Sequence, residues 1–227
     1  MSLSRSSRWC VILCLAVLWL NAVEAKVSFA RGAWNPADWL MVKTFRWEEF
    51  SHWIQEDECI RNYCPTDCPK TDLILKRAPE TYVSMVWKEP VTRRMTFSAT
   101  FSFEYSMAPE LVLIPPPVPD GKGGQKTNEL WEIVLYDKGL NIWHLRLENG
   151  QTRISRLARI LHDFKPDVRY TLKATVLNHW TKEPSLTVTC GDLRFGCALP
   201  TLPEQVYAGI TACEGVVRVY DFSLKSK

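Results

Sequence analysis

Val206-Tyr-Ala-Gly-Ile-Thr-Ala-Cys213, Glu214-Gly215 and Val216-Val-Arg-Val-Tyr-Asp-Phe-Ser-Leu224 almost close this 227-residue chain. Two runs rich in β-branched and aromatic residues flank a Glu-Gly pair, and glycine supplies the positive φ of a tight turn. The pattern predicts a β-hairpin whose sheet is completed by strands upstream. Those strands are legible. In Thr96 to Tyr105, Phe97, Ala99, Phe101, Phe103 and Tyr105 fall on one face, with Ser98, Thr100, Ser102 and Glu104 on the other. That alternation marks a half-buried antiparallel strand.

Further runs extend outward: Trp39 to Val42, Tyr82 to Lys88, Leu111 to Ile114, Leu130 to Asp137, Ile142 to Glu148, Tyr170 to Leu177 and Ser185 to Cys190. Phe45 to Ile54 reads as either a helical turn or a strand, and Ile154 to Phe164 is the best helical candidate. Pro115 to Gln125 combines prolines with Gly121, Gly123 and Gly124, which predicts an exposed mobile loop. Roughly nine strands without a confident long helix predict an all-β fold, an antiparallel sandwich.

The N-terminus bears on the compartment. Arg5 and Arg8 precede the apolar run Cys10 to Leu20, and Val23-Glu24-Ala25 offers small residues for cleavage. This is the pattern of a signal peptide over residues 1–25, with a mature domain over 26–227 that is secreted or periplasmic. Residues 26–78 read as an irregular, cysteine-containing part of that domain. After cleavage 26 basic residues face 24 acidic ones with the signs interspersed, which offers no argument for nucleic acid or a membrane partner. Six cysteines remain: Cys59, Cys64, Cys68, Cys190, Cys197 and Cys213. In an oxidising compartment they are disulfide candidates, and full pairing of two groups of three requires at least one bridge between the groups. A zinc site at Cys59, Cys64, Cys68 and His52 fits no standard spacing.

The central hairpin, around Lys138-Gly139-Leu140-Asn141, admits a register argument. Setting Tyr136 opposite Ile142 aligns Trp131, Ile133 and Leu135 with Leu147, Leu145 and Trp143 on an apolar face. It also aligns Glu132 with Arg146 and Val134 with His144 on a polar one. Glu132, His144 and Arg146, with Tyr136 nearby, then form a candidate groove able to hydrogen-bond sugar hydroxyls; Arg218 and Tyr220 share a strand face that could edge it. The competing reading is a solvent-facing ion pair. Asp137 and Asn141 could offer oxygens to calcium, but two residues at a turn are normally turn formers, and no cofactor is implied.

The strand order from Thr96 onward closes on Tyr207-Ala-Gly-Ile-Thr-Ala and Val217-Arg-Val-Tyr-Asp-Phe. It resembles the concanavalin A-like lectin/glucanase superfamily, nearest to secreted bacterial laminin-G-like and sugar-hydrolase-like domains, over roughly residues 80–224. The resemblance implies a jelly roll of two curved sheets, often with a glycan or polysaccharide on the concave face. Family-16 glucanases carry Glu-x-Asp-x-x-Glu or a near variant. Here Glu129-Leu-Trp131-Glu132 places Trp131 where the central Asp belongs, so no catalytic residue is carried over. The leading expectation is a non-catalytic carbohydrate-binding domain. The alternatives are a glycoside hydrolase or polysaccharide lyase, and a structural or adhesive module.

Overall fold

The computed structural model describes residues 22–46, 51–64, 82–104, 108–179 and 182–227. In chain order its strands are β1 Glu24–Ser28, β2 Trp39–Thr44, β3 Trp53–Gln55, β4 Ile60–Asn62, β5 Val83–Trp87, β6 Val91–Thr92, β7 Met95–Phe103, β8 Ala108–Ile114 and β9 Val118–Pro119. They continue as β10 Gln125–Thr127, β11 Glu129–Tyr136, β12 Gly139–Glu148, β13 Gln151–Leu161, β14 Tyr170–His179, β15 Lys182–Cys190, β16 Leu193–Ala198, β17 Gln205–Cys213 and β18 Val217–Ser226. One 3-10 turn, Pro36–Asp38, is the only helical element among the described residues.

Two sheets stack face to face. One runs β16-β15-β14-β7-β18-β4-β3, with β1 also on β18. The other runs β13-β12-β11-β8-β17-β5-β2-β10-β9, with β6 also on β17. The pairings are antiparallel except β10 on β2. This is the jelly-roll sandwich expected from the alternation and the resemblance.

The closing stretch has a different role from the one expected. β17 pairs with β8 and β5, whereas β18 pairs with β7 and β4, so the two runs lie in different sheets. Glu214 and Gly215, at φ 58° and 139°, carry the chain across the sandwich in an arch. Ala208, Ile210 and Ala212 of β17 meet Val217, Val219, Phe222 and Leu224 of β18 in the same buried core. Apolar alternation is identical in a hairpin and in an arch; only the distribution of partner strands separates them.

The core between the sheets is dense in aromatics. Phe97, Phe101, Phe103, Trp131 and Phe222 are at most 1 % exposed, and Ala99 packs with them. Tyr105 lies outside the described residues. Trp39 packs edge-on against Trp87 and Phe222. β18 keeps Val219 and Phe222 on the core side through a register shift between Val219 and Asp221.

Several local expectations are corrected. Residues 151–161 form the edge strand β13 rather than a helix; three of its positions inside the helical candidate, Ile154, Arg156 and Arg159, line up with Leu145, Trp143 and Asn141. Pro115 to Gln125 is exposed but built into the sheet: β9 and β10 pair, and Asp120 accepts from the backbone N–H groups of Lys122 and Gly124. The described part of residues 26–78 contributes β2, β3, β4 and most of β1 rather than irregular chain. β1 begins at Glu24, and Ala25 is buried in the core.

The hairpin of β11 and β12 is tighter than expected. Its turn is Asp137-Lys138, and Tyr136 pairs with Gly139. Gly139 is required twice over: its φ is 146°, and a Cβ there would lie 2.1 Å from the Ile160 carbonyl oxygen. The true register sets Trp131 opposite His144 and Glu132 opposite Trp143, three positions from the expected pairing. An odd shift exchanges the faces of one strand relative to the other. Glu132 and Arg146 therefore lie on opposite faces.

Trp131 points into the core, fully buried. Replacing it with alanine removes a large ring from a close-packed interior, so Trp131→Ala should lower stability by about 3–5 kcal/mol. Chemical denaturation checks this; a loss below about 1 kcal/mol would mean the site collapses around the missing ring.

Candidate functional site

The face of the ten-stranded sheet turned away from the core is not a solvated surface. Glu110 on β8 sits opposite Val134 on β11 and Thr211 on β17, and Glu132 sits opposite Val112 and Trp143. Glu110 and Glu132 are thus diagonal neighbours on adjacent strands, about 7–8 Å apart by the usual spacing of such positions. Both are buried, with 1 % and 2 % exposure. They open on a cavity of about 310 Å³, whose wall includes Arg46, Tyr136, Asn141, Trp143 and Cys213.

Arg46 directly follows the Phe45 turn after β2 and reaches across the sheet face. Its Nη1 donates to both carboxylate oxygens of Glu132 at 3.0 Å. Glu110 has a different environment. Its Oε1 accepts from the Cys213 thiol at 3.4 Å, and its Oε2 has no hydrogen-bond partner among the described residues. Burial, then the neighbouring Glu132 carboxylate, pushes the Glu110 carboxyl well above the usual carboxylate range. Burial also raises Glu132, while the Arg46 guanidinium works in the opposite direction. The geometry therefore places the negative charge on Glu132, beside its cation, and the proton on Glu110. Burial likewise pushes the Cys213 thiol up, with Glu110 adding to it. A protonated thiol at this position is a hydrogen-bond donor, not a nucleophile.

Asn141 presents a second orphan, a buried Oδ1 without a partner among the described residues. Trp143 is half-buried on the next pair of positions, and Arg156 of β13 lies over its ring at 5.3 Å. The hollow thus combines a charged pair, a neutral acid, an unsatisfied amide oxygen and an indole.

Of the residues expected to contact a glycan, only Glu132 and Tyr136 reach this hollow; Asn141, weighed for calcium, and Cys213, a disulfide candidate, line it too. His144 stacks on Trp131 at 4.7 Å and bonds Glu129 Oε1 at 2.7 Å, on the core-side face of β12. Arg146 pairs with Glu148 at 2.9 Å. Arg218 and Tyr220 belong to the other sheet: Arg218 donates to Glu56 and Glu104, and Tyr220 bonds Ser102 under Arg169. The expected groove of Glu132, His144 and Arg146 is not formed. Glu110, Arg46 and Trp143 were missed as site residues, and Asn141 and Cys213 were considered only in other roles. Glu110 carried a readable signal, a carboxylate inside the apolar strand Ala108–Ile114. Arg46 carried none, because its partner is 86 residues away.

The cysteines also depart from expectation. Cys59, Cys190, Cys197 and Cys213 are free thiols, and Cys68 lies outside the described residues. Among the described residues no bridge joins the two groups, since Cys190, Cys197 and Cys213 are free. Cys190 and Cys197 lie on neighbouring strands but out of register, opposite Leu193 and Leu186. Burial holds the Cys190 and Cys197 thiols up at about 11. No cluster of three or more metal-ligating side chains occurs among the described residues.

No family model matches this chain, and no curated protein matches it in sequence. Solved structures do match in shape. The carbohydrate-binding module CBM66 from Bacillus subtilis superposes with a TM-score of 0.52 at 11 % identity, covering 83 % of this chain and 96 % of that one. Lectin UEA-II complexed with galactose gives 0.52 at 9 %, covering 89 % and 98 %. An inactivated mutant of β-agarase B in complex with agaro-octaose gives 0.57 at 7 %, covering 88 % and 89 %. At 7–11 % identity these likenesses show the fold alone, a jelly-roll sandwich.

The raised Glu110 makes a stability prediction with a definite sign. Above about pH 4.3, where an unfolded glutamate ionises, the folded chain keeps a proton the unfolded chain has lost. Stability therefore falls as pH rises from that point through the folded value. Glu110→Gln, which keeps the shape without the ionisation, should flatten this slope and be more stable than wild type at alkaline pH. Urea titrations of both proteins at acidic and alkaline pH measure it. Parallel slopes would show that Glu110 ionises normally.

Proposed function

We propose that this chain is an exported carbohydrate-binding jelly roll that takes its ligand in the hollow on the outer face of the ten-stranded sheet. One observation carries the reading: Glu110 Oε2 and Asn141 Oδ1, both buried and both without a hydrogen bond among the described residues, open on the same cavity as the Trp143 indole. A buried polar atom left unpaired costs about 1–3 kcal/mol. A ligand rich in hydroxyls relieves that cost at Asn141, which needs a donor. It also supplies an acceptor for a protonated Glu110 and an apolar ring face for Trp143. Relatives in shape that bind sugars, a carbohydrate-binding module and a galactose-complexed lectin, support the same class of ligand.

A second reading is favoured by the carboxylate pair. Retaining and inverting glycosidases both use one protonated and one ionised carboxyl group flanking the scissile bond. Glu110 and Glu132 have those states, on adjacent strands of one face. Glu129, the start of the stretch compared with the glucanase motif, is instead held by His144. In the hydrolytic reading Glu110 is the proton donor and Glu132 the nucleophile or base.

Glycan-array screening followed by reducing-sugar assay on every bound glycan separates the readings. Binding without release of reducing ends supports the leading one. Trp143→Ala should then weaken binding at least about tenfold while leaving the fold intact, since the ring is only half-buried. If sugar is released, Glu110→Gln should cut the rate about 10²–10⁴-fold. Failure to retain any glycan would remove the carbohydrate reading itself.

Export follows from the leader expected over residues 1–25, of which 1–21 lie outside the described residues. Cleavage after Ala25 would remove Glu24 and Ala25 from their pairing with Lys225 and Leu224. N-terminal sequencing of the exported protein tests whether the mature chain starts at Lys26 or keeps β1 whole.

A further inference from the structure

We infer that the ligand of this hollow is an acidic glycan, one whose carboxylate or sulfate groups are received by Arg156 and Arg159 on the rim strand β13; the inference rests on the carbohydrate reading above.

The hollow is polarised across the sheet. Glu110 and Glu132 lie on the central strands β8 and β11, and Glu214 follows β17 on the far side. β13 is the opposite edge of the sheet, four strand spacings from β17, or about 19 Å. Its outward positions carry no acid. Arg156 pairs in register with Trp143, and Arg159 with Asn141, so both guanidinium groups leave the strand on the face that holds the cavity. The bulge between Ile142 and Trp143 produces this arrangement: it inserts one residue between Arg156 and Arg159, which would otherwise project to opposite faces.

The other arginines of this edge are already engaged. Arg146 and Arg153 both contact Glu148, and they pair with each other on the core-side register. Arg156 and Arg159 form no ion pair among the described residues, and both are exposed. Arg156 is held over the Trp143 ring, which orients its planar donor fork beside the hollow. Two unpaired guanidinium groups, one of them oriented by the Trp143 ring, are complementary to oxyanions, which such groups can bind bidentately. On the floor the only cation among the lining residues, Arg46, is bound to Glu132 and so is not the receptor for a ligand's charge. A ligand therefore lies with hydroxyls toward the floor and its acidic substituent toward β13.

Matched pairs of polymers test this with the full chain. Affinity is measured for polygalacturonate against its methyl ester, and for dextran sulfate against dextran. The acidic member of at least one pair should bind about tenfold or more tighter, and which pair responds tells carboxylate from sulfate. The double variant Arg156→Ala/Arg159→Ala should abolish that preference with an unchanged melting temperature, because both residues are exposed. Lys173→Ala, on the outer face of the other sheet, should leave it intact. Equal loss in Lys173→Ala would reveal non-specific attraction and overturn the site. Equal affinity within both pairs, unaffected by the double variant, would overturn the acidic-glycan inference while leaving carbohydrate binding in place. Absence of binding to these polymers and to the glycan array alike would overturn both.

Discussion

The ion pair between Arg46 and Glu132 governs the outer face of the ten-stranded sheet. Their side chains are 16 % and 2 % exposed, so neither charge is compensated by bulk water. Taking either ion from water costs several kcal/mol, and the attraction between them repays this only with good geometry. Arg46 meets that condition by spanning both oxygens of Glu132. The pair also ties the turn after β2, at the far side of β5, to the central strand β11. Losing one partner would strand the other charge, a cost of about 3–5 kcal/mol. Apolar residues of similar volume often replace such a pair without loss of stability, and the position of this one beside a cavity accords with the proposed ligand.

Glu110 follows from that arrangement. A second carboxylate one strand away has no second guanidinium to meet among the described residues, since Arg46 is committed to Glu132. Burial and the neighbouring charge then make the neutral acid the stable form. Cys213 and Glu110 are linked by register, because Cys213 lies opposite Ala108 and Thr211 lies opposite Glu110 on the same strand pair. Thr211 and Ser84 continue the polar row toward β5 by a hydrogen bond of 2.8 Å. The hollow is a local failure of the outer face to fill with side chains, and it leaves Glu110 Oε2 and Asn141 Oδ1 without a partner among the described residues.

Much of this fold was legible in the sequence because the core-side alternation is strict. Phe97, Ala99, Phe101 and Phe103 announced β7, and Ile210 and Phe222 belong to runs whose strand character was plain. What could not be read was which strands pair. The expected register of β11 and β12 was chosen to separate an apolar face from a polar one. β11 does not obey that premise: Leu130 through Leu135 are buried without interruption, so both of its faces are covered. With Glu132 inside and Leu147 exposed, segregation by polarity favoured the wrong pairing, and the two-residue turn at Asp137-Lys138 decided the right one. The arch at Glu214-Gly215 was misread for a related reason: a positive φ reports a reversal of the chain but not the sheet to which the next strand returns.

The site was harder to read than the fold, because its members come from sequence neighbourhoods with no common motif. Arg46, Glu110, Glu132, Asn141 and Cys213 are brought together by strand order alone, with β8 and β17 inserted between β11 and β5. The two charge systems in the region answer different physical demands. Arg46 and Glu132 are buried and must cancel; Arg156 and Arg159 are exposed and remain available, with only the Trp143 ring to orient one of them. A bulge of one residue in β13 separates these outcomes. Without it Arg159 would join Arg153 on the core-side register, where its charge could not reach a ligand in the hollow. The irregularity in the ladder is therefore the feature that puts Arg156 and Arg159 on the same face as the hollow, at the rim of the proposed binding surface.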